Sequence, residues 1–179
     1  NSSPQDILRS EQESLAMIEY LYEKSEDYEQ VNKPYIGDSE NGELLVSSYG
    51  CMGCHQIQPE EDPDYIPSMQ NIRLEQGPNL IGLGSKTNEK WLFNWLKNPY
   101  SYHPGTKMPN MRLSDEEASD IVAYLIQGKT TEFDETPVPG VNQEILNEIT
   151  RDFLSQLNST SQVAQKLESM SVEEKLSYS

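Results

Sequence analysis

Apolar positions fall into short helical stripes separated by polar, proline-bearing stretches. Over residues 5–24, Ile7, Leu8, Leu15, Ile18, Leu21 and Tyr22 follow helical spacing, and Ser10 with Glu13 is spaced for a capping box. Asp27 to Asn41 is acidic, contains Pro34 and Gly37, and reads as a linker. Glu43 to Tyr49 suits a short helix capped by Asp38 or Ser39. Gln56 to Gln76 carries Pro59, Pro63 and Pro67 among acids and reads as a surface loop. Asn88 to Lys97 is a compact helix with Trp91, Leu92, Trp95 and Leu96 on one stripe, stopped by Asn98-Pro99. Tyr100 to Met111 is a Pro/Gly-rich loop. Ser114 and Glu117 form a second capping-box pair, followed by a buried face of Ile121, Val122, Tyr124 and Leu125, with Gly128 as the stop.

Thr130 to Gly140 reads as a linker. Asn142 to Leu157 is amphipathic through Ile145, Leu146, Ile149, Phe153, Leu154 and Leu157, and a weaker helix follows from Ser161 to about Tyr178. These two are expected to form a hairpin. The apolar stripe has three open fates: covering its own domain, pairing with residues 5–24, or binding a partner. The pattern predicts an all-α chain in three parts: an N-terminal helix and linker over 1–36, a domain over 37–129, and a linker with a helical extension over 130–179.

One internal similarity stands out. Ser10 to Leu21 resembles Ser114 to Leu125, each a polar-capped stretch ending in Tyr-Leu. It fits either two amphipathic helices with similar caps, or a first helix descended from the closing helix of a preceding, similar domain.

Composition changes this picture in one respect. Hydrophobic residues make up 35% and mean hydropathy is -0.73, lean for 179 residues. Either part of the chain lies outside the core, or a prosthetic group fills it. A net charge of -17 argues against nucleic acid and anionic membrane surfaces as partners. Between Gly77 and Leu113 the balance reverses, with Lys86, Lys90, Lys97, Lys107 and Arg112 against Glu89. No run is long and apolar enough to span a membrane. The start, Asn1-Ser2-Ser3-Pro4, has no signal-peptide pattern, which a processed chain would share.

The cysteines, Cys51 and Cys54, stand in the run Cys-Met-Gly-Cys-His55. This is a haem-attachment signature. Two thiols at this spacing each add to one vinyl group of the same haem, and the next imidazole lies beneath the iron. A zinc site needs about four N/S ligands, whereas the chain offers one further His and no further Cys. A thioredoxin-like motif calls for a βαβ setting, which is absent, and a disulfide would not need the adjacent His. For the opposite face of the iron the residues leave Met108, Met111 and His103 in one proline- and glycine-stiffened segment, with Met52, Met69 and Met170 less suitably placed.

In order from Gly42 to Leu125, several pieces resemble the class I bacterial c-type cytochromes. They are Gly42-Glu-Leu-Leu-Val46, the attachment motif, Gly77-Pro-Asn-Leu80, Gly82-x-Gly-Ser-Lys86, Trp91 to Pro99, Pro104-Gly-Thr-Lys-Met-Pro109, and Leu113 to Leu125. The resemblance implies the cytochrome c fold around one haem c, covalent through Cys51 and Cys54. It implies Met108 as the distal ligand opposite His55, and the Pro78 carbonyl as acceptor from His55. It groups Leu80, Trp91, Trp95 and Lys107 around the haem, one indole donating to a propionate in the functional version. The first domain helix is expected to cross the last, with Gly42 against the Tyr124 face, and the insertion 56–76 could cover a haem edge.

Electron transfer is the activity implied, without bond chemistry on a substrate. Its partners would be other redox proteins or neighbouring haem domains, and its location periplasmic or otherwise extracytoplasmic. The alternatives are the electron-entry module of a larger oxidoreductase, or a haem sensor with a displaceable distal ligand. Glu173 to Tyr178 also resembles the lead-in to a further haem domain.

Overall fold

The computed structural model describes residues 3–59 and 77–178, and all regular structure in them is helical. The elements are α1 (Pro4–Lys24), α2 (Ser39–Ser48), a 3-10 turn at Cys51–Gly53, α3 (Leu83–Lys86), α4 (Glu89–Lys97), α5 (Pro99–Tyr102), α6 (Asp115–Leu125), α7 (Thr131–Glu135), α8 (Gln143–Ser155), α9 (Thr160–Ser169) and α10 (Val172–Tyr178). They fall into two compact units. Residues 1–27 and 137–179 form one, and residues 28–136 the other.

In the unit of residues 28–136, the caps at Asp38 and Ser114 act where the sequence places them, and Asn88, read in the sequence as the first helical residue, is a third. Asp38 caps α2 by accepting from the Glu40 and Asn41 N–H groups, Asn88 caps α4, and Ser114 with Glu117 closes a reciprocal box on α6. α2 packs along α6, and α4 packs on α6 from another side. Val46, Phe93, Leu96, Ile121 and Val122 meet in the buried core. The α2–α6 crossing is close because Gly42 has no side chain: a Cβ there would overlap the Asp120 backbone carbonyl and press on Tyr124 Cβ. Asp120, itself buried, ties the crossing by accepting from the Asp38 N–H and the Asn41 amide, both at 2.7 Å.

Three expectations about irregular segments are corrected. The loop after Asn98 contains α5, because Pro99 presets the first helical dihedral at the N-terminal position. The linker after Gly128 contains α7. Helix α6 ends at Leu125 rather than at Gly128. The insertion 56–76 lies outside the described residues from 60 onward.

In the other unit, α1 is capped by Ser3 with Asp6, not by Ser10 with Glu13. Pro4 at the first helical position starts the helix well before Ser10, which leaves Glu13 inside it, paired with Arg9 at 2.9 Å. The buried stripe is also displaced. Gln12 and Ala16 are buried, whereas Leu21 is 65% exposed. The Gln12 carboxamide donates to the Gly140 carbonyl at 3.0 Å and accepts from the Asn142 N–H at 2.7 Å. It thereby satisfies the backbone just before α8. Ile145, Leu146, Ile149 and Leu154 of α8 are buried as expected, but Leu157 lies beyond the helix end and is 90% exposed. The expected last helix is two, α9 and α10, interrupted at Met170 and Ser171. α1 packs on α8 and α10, so in this unit the stripe of α8 is covered by the helices of both termini.

The domain helices lead to two tests. Gly42→Ala should destabilise the haem-loaded protein by roughly 1–3 kcal/mol, since the obstacle is backbone and cannot swing away; thermal unfolding followed by circular dichroism measures it. Glu117 accepts from the Ser114 N–H and from the Tyr49 hydroxyl, and these bonds, the backbone one first, hold its carboxyl below the ordinary range. Its stabilisation is therefore complete above the usual glutamate pKa and is lost as pH falls through the lowered folded value. The stability gap between wild type and Glu117→Gln should be constant near neutrality and close in acid. A gap that persists unchanged in strong acid would contradict this assignment.

Candidate functional site

The Tyr49–Glu117 bond, at 2.8 Å, anchors the C-terminal end of α2 to α6. The chain then turns sharply at Gly50, which adopts φ 72°, into the 3-10 turn carrying Cys51. Three backbone bonds close this turn, from Gly53 to Gly50 and from Cys54 and His55 to the Cys51 carbonyl. The attachment motif is therefore a rigid corner. Cys51 is half-buried against the core and burial pushes its thiol pKa up, while Cys54 is exposed.

His55 is fixed from behind. Its Nδ1 lies 2.8 Å from the Pro78 carbonyl, so the ring donates there from Nδ1–H and keeps Nε2 as its basic nitrogen. Gly77 makes the approach feasible, because a Cβ at that position would run into the imidazole. Its N–H also donates to the Cys54 carbonyl at 2.8 Å, and the Leu80 N–H donates to the Gln56 carbonyl at 2.8 Å. The segment 77–80 is thus laced to the attachment corner over a sequence gap of more than twenty residues.

The other wall comes from α4 and the segment beyond α5. Trp91 and Trp95, one turn apart on α4, stack with ring centroids 5.5 Å apart and planes 11° from parallel. Tyr102 meets both edge-on. The Trp95 indole N–H donates to Met108 Sδ at 2.9 Å. Met108 is also held by its own turn, its N–H donating to Thr106 Oγ1. Beyond it, Arg112 takes a left-handed φ of 55°, with its N–H on Asn110 Oδ1. The Lys97 ammonium ties down the Leu113 carbonyl and pairs with Asp115 at 2.8 Å.

Among the candidate residues, Met108 and Met111 both pack half-buried against the domain core, whereas His103 and Lys107 are exposed and Met52 is 53% exposed. Met69 falls outside the described residues. Of the two, Met108 accepts the Trp95 bond. Sequence reasoning missed Tyr102 as part of this wall, since its only signal was a position just beyond the helix that carries the indoles.

The two cysteines are not joined to each other. Among the described residues no group of three or more His, Cys, Asp or Glu side chains could hold a metal ion. A haem does fit. Half-buried apolar side chains, Cys51, Ile57, Leu80, Leu83, Met108 and Met111, pack from separate segments against one core and leave apolar surface still to cover. Such a wall, with two thiols, a tethered imidazole and a thioether, suits a porphyrin and an iron. The group supplies a one-electron Fe(III)/Fe(II) couple. Among the described residues no helix is long and apolar enough to cross a membrane.

Comparison with known proteins agrees. The sequence profile of the family "Cytochrome c" matches residues 39–129. Cytochrome c of Tetrahymena pyriformis is 34% identical over 98 residues, which cover 50% of this chain and 87% of that protein. Cytochrome c of Ginkgo biloba is 27% identical over 107 residues, 93% of its length. Cytochrome c oxidase subunit 2 of Bacillus subtilis is 29% identical over 97 residues, but the match spans 25% of that protein. No solved structure matches the chain. The profile covers half of the chain and a cytochrome c is similar over nearly all of its own length, on a helical domain with two thiols at the attachment corner: the chain belongs to the cytochrome c family, with covalent haem c and electron transfer through it.

Proposed function

We propose that the domain is a closed one-electron relay, with iron held between His55 Nε2 and Met108 Sδ. The observation that carries this reading is the Trp95–Met108 bond, which orients the one thioether in the loop tied to the aromatic wall. The Pro78 carbonyl supports it from the other side by fixing the His55 tautomer, so that Nε2 carries the lone pair. Two protein ligands leave no position for substrate, so only electrons pass. The partners would be other redox proteins or neighbouring haem domains. Covalent attachment of haem to thiols goes with a location outside the cytoplasm, periplasmic in a bacterium.

A second reading makes the same domain the electron-entry module of a larger oxidoreductase. The partial similarity to cytochrome c oxidase subunit 2 favours it. The chemistry at the iron would be the same in both.

The ligand set is tested spectroscopically. The oxidised protein should show the weak far-red band of thioether-ligated ferric haem, and Met108→Ala should abolish it and lower the potential, since a thioether favours the reduced iron. Met111→Ala and His103→Ala should leave the band in place. Rapid carbon monoxide binding by the ferrous wild type would overturn the closed relay and favour a sensor.

A further inference from the structure

The segment joining the first helix to α2 reads in the sequence as a plain acidic linker. In the structure it is fastened at several points to the helix that carries Trp91 and Trp95. The Val31 N–H donates to Asn94 Oδ1 at 3.1 Å, and the Asn94 amide donates back to the Val31 carbonyl at 2.8 Å. This two-way pairing is the pattern of a strand neighbour, supplied here by one side chain. The same amide also donates to the Lys90 carbonyl, one turn earlier in α4. Two residues on, the Lys33 side chain, 11% exposed, pairs with Glu89 at 2.9 Å and donates to the Ile36 carbonyl. At the other end, the Tyr28 ring meets Tyr102 edge-on at 5.2 Å and its hydroxyl lies 2.8 Å from Ser101 Oγ.

These fastenings converge on one chain of side chains. Tyr28 supports Tyr102, Tyr102 abuts both indoles, the indoles stack, and Trp95 holds Met108 Sδ. A solvated linker would have no reason to surrender a backbone N–H and a carbonyl to a single asparagine. We propose that residues 28–36 are a strap in which Tyr28, together with Asn94 that fastens it, acts as a positioning element for the distal ligand: by keeping the Trp95 indole in place the strap keeps Met108 on the iron. The inference rests on the reading of Met108 as that ligand. A thioether is a weak ligand, and its retention depends on how little freedom its loop and its hydrogen-bond donor have when it dissociates. The strap lowers that freedom from outside the loop, without touching the haem-bearing residues.

The test uses the full haem-loaded chain in the ferric state, with imidazole as the competing ligand and loss of the far-red band as the signal. Exogenous imidazole binds only the fraction with Met108 detached, so its apparent affinity reports that fraction directly. Tyr28→Leu and Asn94→Ala should each tighten imidazole binding about ten-fold, the scale expected when one hydrogen bond or one aromatic pairing is removed. Both should also lower the midpoint potential measured with imidazole present, because imidazole captures the larger detached fraction and stabilises Fe(III) relative to Fe(II). Tyr28→Phe keeps the ring on Tyr102 and should stay within about two-fold of wild type. Should Tyr28→Leu fail to hold haem, Asn94→Ala and Lys33→Gln carry the test.

Folded Tyr28→Leu and Asn94→Ala proteins with wild-type imidazole affinity and potential would overturn the strap, even if their melting temperatures fell. A wild-type protein without the far-red band would instead overturn the assignment of Met108, and with it this inference. The two failures are therefore distinguishable.

Discussion

Gly42 and the Asp120 carbonyl occupy a space that admits no side chain between them. The attachment side of the haem-bearing unit is positioned by that crossing. It sets the distance between α2 and α6, and the Asp120 carboxylate then locks the start of α2 through Asp38 and Asn41. At the far end of α2, Tyr49 reaches Glu117 and repeats the tie. A helix held at both ends delivers the attachment corner to a defined place, because Cys51 follows α2 within three residues of its end. The core residues Val46, Ile121 and Val122 fill the interval between these two ties.

The two halves of the proposed iron site reach it by different physics. The His55 side depends on backbone: Gly77, Pro78 and Leu80 are laced to Cys54, His55 and Gln56 by hydrogen bonds that need carbonyl and N–H groups in place, and in one position no side chain at all. The Met108 side depends on side chains. Its loop is braced by an aromatic wall and by one N–H to sulfur, with Lys97 tethering the return to α6. Backbone lacing leaves little room to move, whereas an aromatic wall shifts when its outer support shifts.

Signals that act within one turn of chain were legible in the sequence. Asp38, Asn88 and Ser114 each cap the helix that follows, whereas the Pro78 acceptor and the Gly42 crossing were implied by the family resemblance and not by spacing. The first helix was misread in a telling way. Ser10 and Glu13 have capping-box spacing, but Pro4 starts the helix earlier and Ser3 with Asp6 takes the role. A periodic apolar pattern likewise misplaced the buried face, because Gln12 was recruited to satisfy the backbone at Gly140 and Asn142. A polar residue becomes a core residue when a distant chain segment leaves it backbone groups to satisfy, and no local pattern announces that.

By itself the sequence determined the helical class and the haem chemistry, since caps, periodicity and a five-residue motif are short-range properties of adjacent residues. Only the tertiary structure decided that Trp95 donates to Met108 sulfur, that the linker over 28–36 is fastened to α4, and that the two termini share one compact unit. These depend on which surfaces meet after the helices form. Such meetings are settled by packing and by the pairing of leftover backbone groups across long stretches of chain, which spacing along the sequence does not encode.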